Sequence, residues 1–253
     1  MGIFREYSKY YNLLYKDKDY EKEAGYVDHL IKRYVGRNKK NLLNIGCGTG
    51  QHDRWFADNG YKVVGIDRSP EMIKIAKKMA ASDNNGIEFY ISDATDFKLN
   101  RKFDIAVALF HVMSYQTTNK SVLCLLKNAY EHLNKSGLLI FDFWYGPGVL
   151  AQRPSVRTKS VSEDGIQVAR TAIPKINVKN DTVDIEFRLA IDDKRRPLNQ
   201  MIVERHQMRY FFLPELELMS EDAGFKKTVF LKWMSYKNDL DEKAWSGIAI
   251  AQK

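Results

Sequence analysis

Residues whose type and spacing can do chemistry cluster first in Asn44-Ile45-Gly46-Cys47-Gly48-Thr49-Gly50-Gln51-His52. This stretch follows the short apolar run Leu42-Leu43-Asn44-Ile45. Its glycines allow a tight turn and bring backbone close to a ligand. A second apolar run, Tyr61–Ile66, ends at Asp67, 21 residues after Gly46. An acidic residue there suits the two hydroxyls of an adenosine ribose. A dinucleotide turn would place its third glycine at position 51, which is Gln. The glycines at 46, 48 and 50 give a tighter spacing, which favours S-adenosylmethionine. A third run ends at Ile91-Ser92-Asp93-Ala94, where the carboxylate of Asp93 can accept from an adenine amino group. An Asp in a turn can equally cap its own backbone. A fourth run ends at Leu109-Phe110-His111, beside the expected place of the methyl donor.

Methyl transfer from a sulfonium is an in-line displacement, so orientation and desolvation carry most of it. A base is needed where the acceptor must lose a proton early. Tyr7, Tyr10, Tyr11, Tyr15 and Tyr20 crowd the start of the chain. Their rings either cover the cofactor, each attracting a sulfonium by about 0.5–2 kcal/mol, or pack an amphipathic helix on the sheet. Tyr115 can orient an amine or hydroxyl, or anchor the helix that follows it. Trp144 and Tyr145 fall where rings can wall a pocket or pack structurally. His111 reads better as a satisfied strand-end histidine than as a base. His206 is the other histidine placed to act as base or proton relay. Arg153, Arg157, Arg170, Arg205 and Arg209 either hold a diphosphate or lie on a solvated strand face. Cys47 reads as a small side chain in a crowded turn.

Elements must position these groups. Between about 41 and 143 apolar runs alternate with helical patterns. Ser69-Pro70-Glu71 marks a helix start, followed by Met72, Ile73, Ala76 and Met79 at helical spacing. A turn is expected at Asn84-Asn85-Gly86, a fully buried strand at Phe103–Phe110 and a helix over 119–133. A turn at Asn134–Gly137 should lead into a strand at Leu138–Phe143. This alternation predicts an α/β doubly wound, Rossmann-like sheet. The period changes after Gly146-Pro147-Gly148. Val183, Ile185, Phe187, Leu189 and Ile191 alternate strictly, as a half-buried antiparallel strand does. Stretches 166–173 and 200–212 read as its partners. A helix from Pro214 to about Ala223 and strands at Phe225–Met234 and Trp245–Ala251 complete the chain.

The chain has 253 residues and a formal charge of +8, from 40 Lys+Arg against 32 Asp+Glu. That charge suits anionic partners, but the densest patches, Arg37–Lys40, Lys194–Arg196 and Lys226–Lys227, are short. The two cysteines, Cys47 and Cys124, make no disulfide framework, and the scattered histidines show no metal-ligand spacing, so no metal is expected. The first residues lack the apolar core of a signal peptide. The longest apolar run, Ile105–Phe110, is far below the roughly 20 residues of a bilayer span. A cytoplasmic protein is expected.

LLNIGCGTGQH, VVGIDRSPEMI, ISDATDF, FDIAVALF and HLNKSGLLIFDFW, in this order, resemble the class I S-adenosylmethionine-dependent methyltransferases over residues 41–143. YNLLYKDKDYEKEA, VALFHVMSYQTT and VERHQMRYFFLPELELMSEDAGF are similar to segments of the amino-sugar N,N-dimethyltransferases that act on nucleotide-linked deoxysugars. The Glu-Pro-Trp of that family is here Asp142-Phe143-Trp144. The resemblance implies a single domain. Within it, a helical lid spans about 1–36, a cofactor core about 41–145, a β-rich cover about 150–212, and a final helix and strands 213–253. It implies S-adenosylmethionine as donor, with Tyr11, Tyr20, Gly46, Gly48, Gly50, Asp67, Asp93, Ala94 and Phe110 on the cofactor. Tyr115, Trp144 and His206 are expected on the acceptor side. The expected acceptor is a small, phosphorylated or nucleotide-linked sugar of surface-polysaccharide or natural-product biosynthesis, methylated on nitrogen or oxygen. A homodimer is compatible with this reading; a membrane or nucleic-acid partner is not expected. Two other readings stay open: an RNA or protein methyltransferase, and a non-catalytic adenosyl-binding protein on the same fold.

Overall fold

The structure is a computed structural model that describes residues 6–83, 86–194, 200–237 and 240–253. Asn84 and Asn85 of the expected turn, and Arg195 and Arg196 of one basic patch, lie outside the described residues. The central sheet holds β1 (Asn41–Ile45), β2 (Lys62–Asp67), β3 (Glu88–Ile91), β4 (Phe103–Ala108) and β5 (Leu133–Tyr145) in the order β3-β2-β1-β4-β5. These strands pair in parallel. At the far edge β11 (Ser246–Gln252) runs antiparallel to β5, and β10 (Lys227–Lys232) antiparallel to β11. β1, β2, β4 and most of β5 are apolar because both faces are covered, whereas the edge strand β3 is largely exposed. Leu43, Ile45, Ala106 and Ala108 pack with Val122, Leu125 and Leu126 of α5 (Asn119–His132) and Leu216 of α7 (Leu213–Asp222). Leu42, Val63, Ile105 and Val107 pack on the opposite face with Val27, Leu30 and Ile31 of α2 (Tyr20–Val35) and Phe56 of α3 (Gln51–Asp58). This is the doubly wound sheet expected from the alternating pattern. Ser69 caps α4 (Pro70–Asp83), its hydroxyl accepting from the Met72 N–H at 3.2 Å.

After β5 the chain makes α6 (Gly146–Gln152) and then β6 (Arg157–Glu163), β7 (Ile166–Asn177), β8 (Thr182–Asp193) and β9 (Gln200–Phe211). These last strands pair antiparallel in sequence order. β9 then continues beside the end of β5, with Trp144 opposite Tyr210 and Tyr145 opposite Phe211. The antiparallel sheet is thereby anchored past the end of β4, over the carboxyl edge of the parallel strands. The register puts Arg157, Ala172, Phe187 and Glu204 in one row across it, with Pro174, Ile185 and His206 in a neighbouring row. α1 (Ser8–Leu14) packs against the same sheet, with Tyr7, Tyr10, Tyr11 and Leu14 meeting Val168, Leu189 and Ile191.

Four local expectations change. β4 stops at Ala108, because Phe110 and His111 both take left-handed conformations, φ 65° and 70°. The expected turn at Asn134–Gly137 is absorbed into β5, whose register slips between the Phe103–Leu133 and Ile105–Leu138 pairs, with Ser136 at φ 60°. α6 forms despite Gly146 and Gly148, since Pro147 falls in its first turn, where a missing N–H costs nothing. β6 had no alternating apolar signal: of its residues only Val161 is buried.

Candidate active site

The carboxyl ends of the parallel strands, the inner face of β7–β9 and the segment around α1 enclose a cavity of about 560 Å³. That size suits a small-molecule site.

One side is built by the glycine turn. The N–H groups of Gly46 and Cys47 both donate to Ile66 O, at 2.8 and 2.9 Å, which locks the turn to β2. Gly48 has φ 56°, a Cβ there would meet nothing within 4 Å, and the residue lines the cavity. Asp67 ties the turn to the start of α4. Its Oδ2 accepts from Gly48 N–H at 2.9 Å and its Oδ1 from Ser69 N–H at 2.8 Å. Burial raises its carboxyl pKa, opposed by these two donors. A carboxylate offers about four acceptor sites, so capacity is left over on a side chain that lines the cavity. Asp93 also lines it, while its Oδ1 accepts from the N–H and hydroxyl of Thr95 at 2.9 and 2.7 Å. The same side chain therefore caps its own turn and faces the cavity.

Aromatic rings close this side. Tyr7, Tyr11, Tyr15, Tyr20 and Phe110 all line the cavity, whereas Tyr10 packs in the core. Tyr11 and Tyr15 have centroids 4.7 Å apart, and Tyr15 meets Phe110 edge-on at 5.1 Å. The Lys18 ammonium stands 4.2 Å from the Phe110 centroid and 5.1 Å from that of Tyr20. These rings therefore already accept a cation. Asn12 of α1 accepts from the Thr49 hydroxyl at 2.8 Å, which fastens α1 to the glycine turn.

The other side carries Tyr115, Trp144 and His206. Tyr115 Oη and His206 Nδ1 are hydrogen-bonded at 2.8 Å. His206 is 2% exposed and its Nε2 lies 3.3 Å from Glu204 Oε2. Burial pushes the Tyr115 phenol far above its usual range. Trp144 is buried against Trp245 and His111, and its indole N–H has no partner among the described residues. The left-handed turn after β4 is held by Asp142, itself 1% exposed. Its two oxygens accept from His111 N–H at 2.9 and 3.1 Å, and Nδ1 of the ring lies 2.7 Å from Oδ2.

A family model described as a methyltransferase domain matches residues 42–137. Over those residues the chain carries a methyltransferase domain. A Geobacillus sp. protein described as a methyltransferase is 28% identical to it over 139 residues, 55% of this chain and 56% of that relative. The chain thus spans little more than half of that relative's length. The dTDP-3-amino-3,4,6-trideoxy-alpha-D-glucopyranose N,N-dimethyltransferase of Streptomyces venezuelae is 28% identical over 187 residues, 73% of this chain and 76% of its own. The S-adenosylmethionine-bound structure of CalS10, an amino pentose methyltransferase from Micromonospora echinaspora, superposes with a TM-score of 0.76. That comparison covers 100% of this chain and 98% of CalS10 at 21% identity, a likeness of fold.

The site fits S-adenosylmethionine. Spare acceptors on Asp67, the open approach at Gly48 and the cation-accepting rings answer to ribose hydroxyls, backbone contact and a sulfonium respectively. When bound, S-adenosylmethionine supplies an activated methyl group. Of the residues expected from sequence, Tyr11, Tyr20, Gly46, Gly48, Asp67, Asp93, Ala94, Phe110, Tyr115, Trp144 and His206 all line the cavity. Gly50 does not. It is the left-handed N-cap of α3, where a Cβ would press on Phe89 at 2.9 Å. Among the arginines of the β-rich cover, Arg157 and Arg170 line the cavity. Arg205 instead pairs with Glu186 on an exposed face, and Arg209 bonds Asn119 and Glu215. Sequence reading named Tyr7 and Tyr15 among the crowded tyrosines but singled out Tyr11 and Tyr20, and it missed Arg68, Asp142 and Glu204. Their i, i+4 spacing with Tyr11 places Tyr7 and Tyr15 on the same helical face. Glu204 shares the face of His206 in a strand, a signal visible once the period is fixed.

Proposed function

We propose that the chain transfers a methyl group to nitrogen or oxygen of a nucleotide-linked or phosphorylated sugar in natural-product or surface-polysaccharide biosynthesis. The observation that carries this reading is the asymmetry of the cavity. Its far side combines a hydrogen-bonded phenol and imidazole and an unsatisfied indole N–H with the guanidiniums of Arg68 and Arg157. Among the described residues neither guanidinium makes an ion pair, so both can meet an anion such as a diphosphate. The substrates named for the Streptomyces venezuelae relative and for CalS10 are amino sugars, one of them nucleotide-linked, which supports the same class.

In this reading Asp67 takes the ribose hydroxyls and Asp93 the adenine, beside Ala94. Gly46 and Gly48 let backbone approach the donor's amino-acid end, with Gly50 setting the turn from behind. Tyr11, Tyr20 and Phe110 face the sulfonium. Trp144 donates its N–H to an oxygen of the sugar, and Tyr115, backed by His206, orients the accepting group and takes its proton. The test is incubation with labelled S-adenosylmethionine and a panel of nucleotide-linked amino and neutral sugars, read by mass spectrometry. Label on an amino sugar is expected. Label on RNA or protein, with every sugar untouched, would overturn the reading.

A further inference from the structure

His206 is held by more than Tyr115. Its imidazole sits in a ring cage, with centroid distances of 4.9 Å to Phe187, 5.8 Å to Tyr115 and 6.0 Å to Tyr7. Behind it on the same strand face stands Glu204, whose side chain is 11% exposed. Oε2 of Glu204 is 3.3 Å from His206 Nε2, and Oε1 accepts from the Tyr7 backbone N–H at 3.1 Å.

We infer that Glu204 is a positioning residue that fixes the tautomer of His206 and couples it to the seating of α1. The inference rests on the roles given above to Tyr115 and His206. A carboxylate accepts and cannot donate, so Nε2 must carry its hydrogen toward Glu204. Nδ1 is then the acceptor, and the Tyr115 hydroxyl donates to it. The proton path follows. As the acceptor's N–H or O–H breaks, its proton goes to Tyr115 Oη, while the Tyr115 proton passes to His206 Nδ1. The phenol never has to ionise, which its burial opposes. The imidazolium so formed faces the negative charge of Glu204 and returns its proton to solvent after transfer. Other polar groups near this unit are Arg170 on β7, which donates to Tyr7 Oη and Tyr15 Oη at 3.0 and 2.9 Å, and Arg68, which follows Asp67 in the chain and whose charge acts on the Tyr115 phenol. Because Tyr7 begins the segment that carries Tyr11 and Asn12, the same carboxylate senses whether that segment is docked.

Glutamine tests this sharply. Among the described residues the Glu204 carboxylate answers two N–H donors, Tyr7 and His206, with one oxygen each, and an amide has a single acceptor oxygen. Glu204→Gln should therefore either invert the His206 tautomer or loosen the Tyr7 amide. The tautomer is read by nitrogen-15 NMR of the imidazole, and Tyr7 by amide hydrogen exchange. Neither needs an acceptor, so this inference can fail separately from the proposed substrate class. We expect Nε2–H in wild type and a changed tautomer or an unprotected Tyr7 amide in the variant. S-adenosylhomocysteine affinity should change by less than about threefold, whereas kcat should fall by roughly 100-fold, the scale of one proton-transfer group. Glu204→Asp should recover part of kcat. Should Glu204→Ala or Glu204→Gln fail to fold, the wild-type tautomer still decides: Nδ1–H at neutral pH overturns the proposal. An unchanged tautomer and a protected Tyr7 amide in a folded Glu204→Gln overturn it as well.

Discussion

Asp67 carries two duties at once, and its substitution separates them. It holds Gly48 and Ser69 in the free protein and offers spare acceptors to the cavity. Asp67→Ala should weaken S-adenosylhomocysteine binding by about 1–3 kcal/mol in calorimetric titration, the cost of leaving buried hydroxyls unpartnered. Unchanged affinity would remove Asp67 from the cofactor. Below the same turn, Asp53 is fully buried and bonded to Asn44 at 2.8 Å. Burial pushes its pKa up to about 7. A folded state that holds a proton more tightly than the unfolded chain loses stability as pH rises through the folded pKa. Wild type should therefore lose up to roughly 4 kcal/mol relative to Asp53→Asn between pH 4 and 8, read as diverging denaturation midpoints. Parallel midpoints would contradict an uncharged Asp53. The place of Asp67 and the glycine turn on the cavity was legible from spacing, because a strand end and its turn are local features. That of Asp53 was not, because burial is a property of the folded molecule.

Elements place these residues through a few close fits. α6 lies so near the segment before β11 that a Cβ on Gly148 would sit 1.8 Å from Ala244 O. Gly148→Ala should cost about 3 kcal/mol and lower Tm by roughly 10 °C; a shift under about 2 °C would show that α6 relaxes freely. The helix after Tyr115 is set by a capping box, in which Thr118 Oγ1 accepts from Ser121 N–H at 3.1 Å and Ser121 Oγ from Thr118 N–H at 3.3 Å. Thr118→Ala should cost about 1 kcal/mol, seen as a drop of about 2–4 °C in Tm. Elements with a strong period, such as β8 and α5, were legible in the sequence. α6 was hidden by its glycines, and β6 by its polar, exposed face. The left-handed pair Phe110–His111 had no sequence signal. Asp142, far away in the chain, stabilises it through the His111 N–H.

At the scale of the molecule, the parallel sheet carries the side of the cavity proposed for the cofactor, and the antiparallel sheet, together with the turn after β4 and the end of β5, carries the side proposed for the acceptor; the two meet where β9 pairs with β5. The division explains what could be read in advance. Side chains at parallel strand ends have fixed places, whereas those of the β-rich cover depend on register, since a one-residue slip reverses every face. That is why Arg205 and Arg209 were grouped with Arg157 and Arg170 until the register separated them. Among the described residues no helix is long and apolar enough to cross a membrane. The measurement that bears most directly on the proposed acceptor is kcat/KM for a nucleotide-linked amino sugar against the same amino sugar without its nucleotide, in wild type and Arg157→Ala. Each charge-assisted contact to a diphosphate is worth about 1.5–3 kcal/mol. The nucleotide-free sugar should therefore be poorer by roughly 100-fold in wild type, and Arg157→Ala should narrow that gap. Equal rates for the two sugars, with or without Arg157, would contradict a nucleotide-linked acceptor.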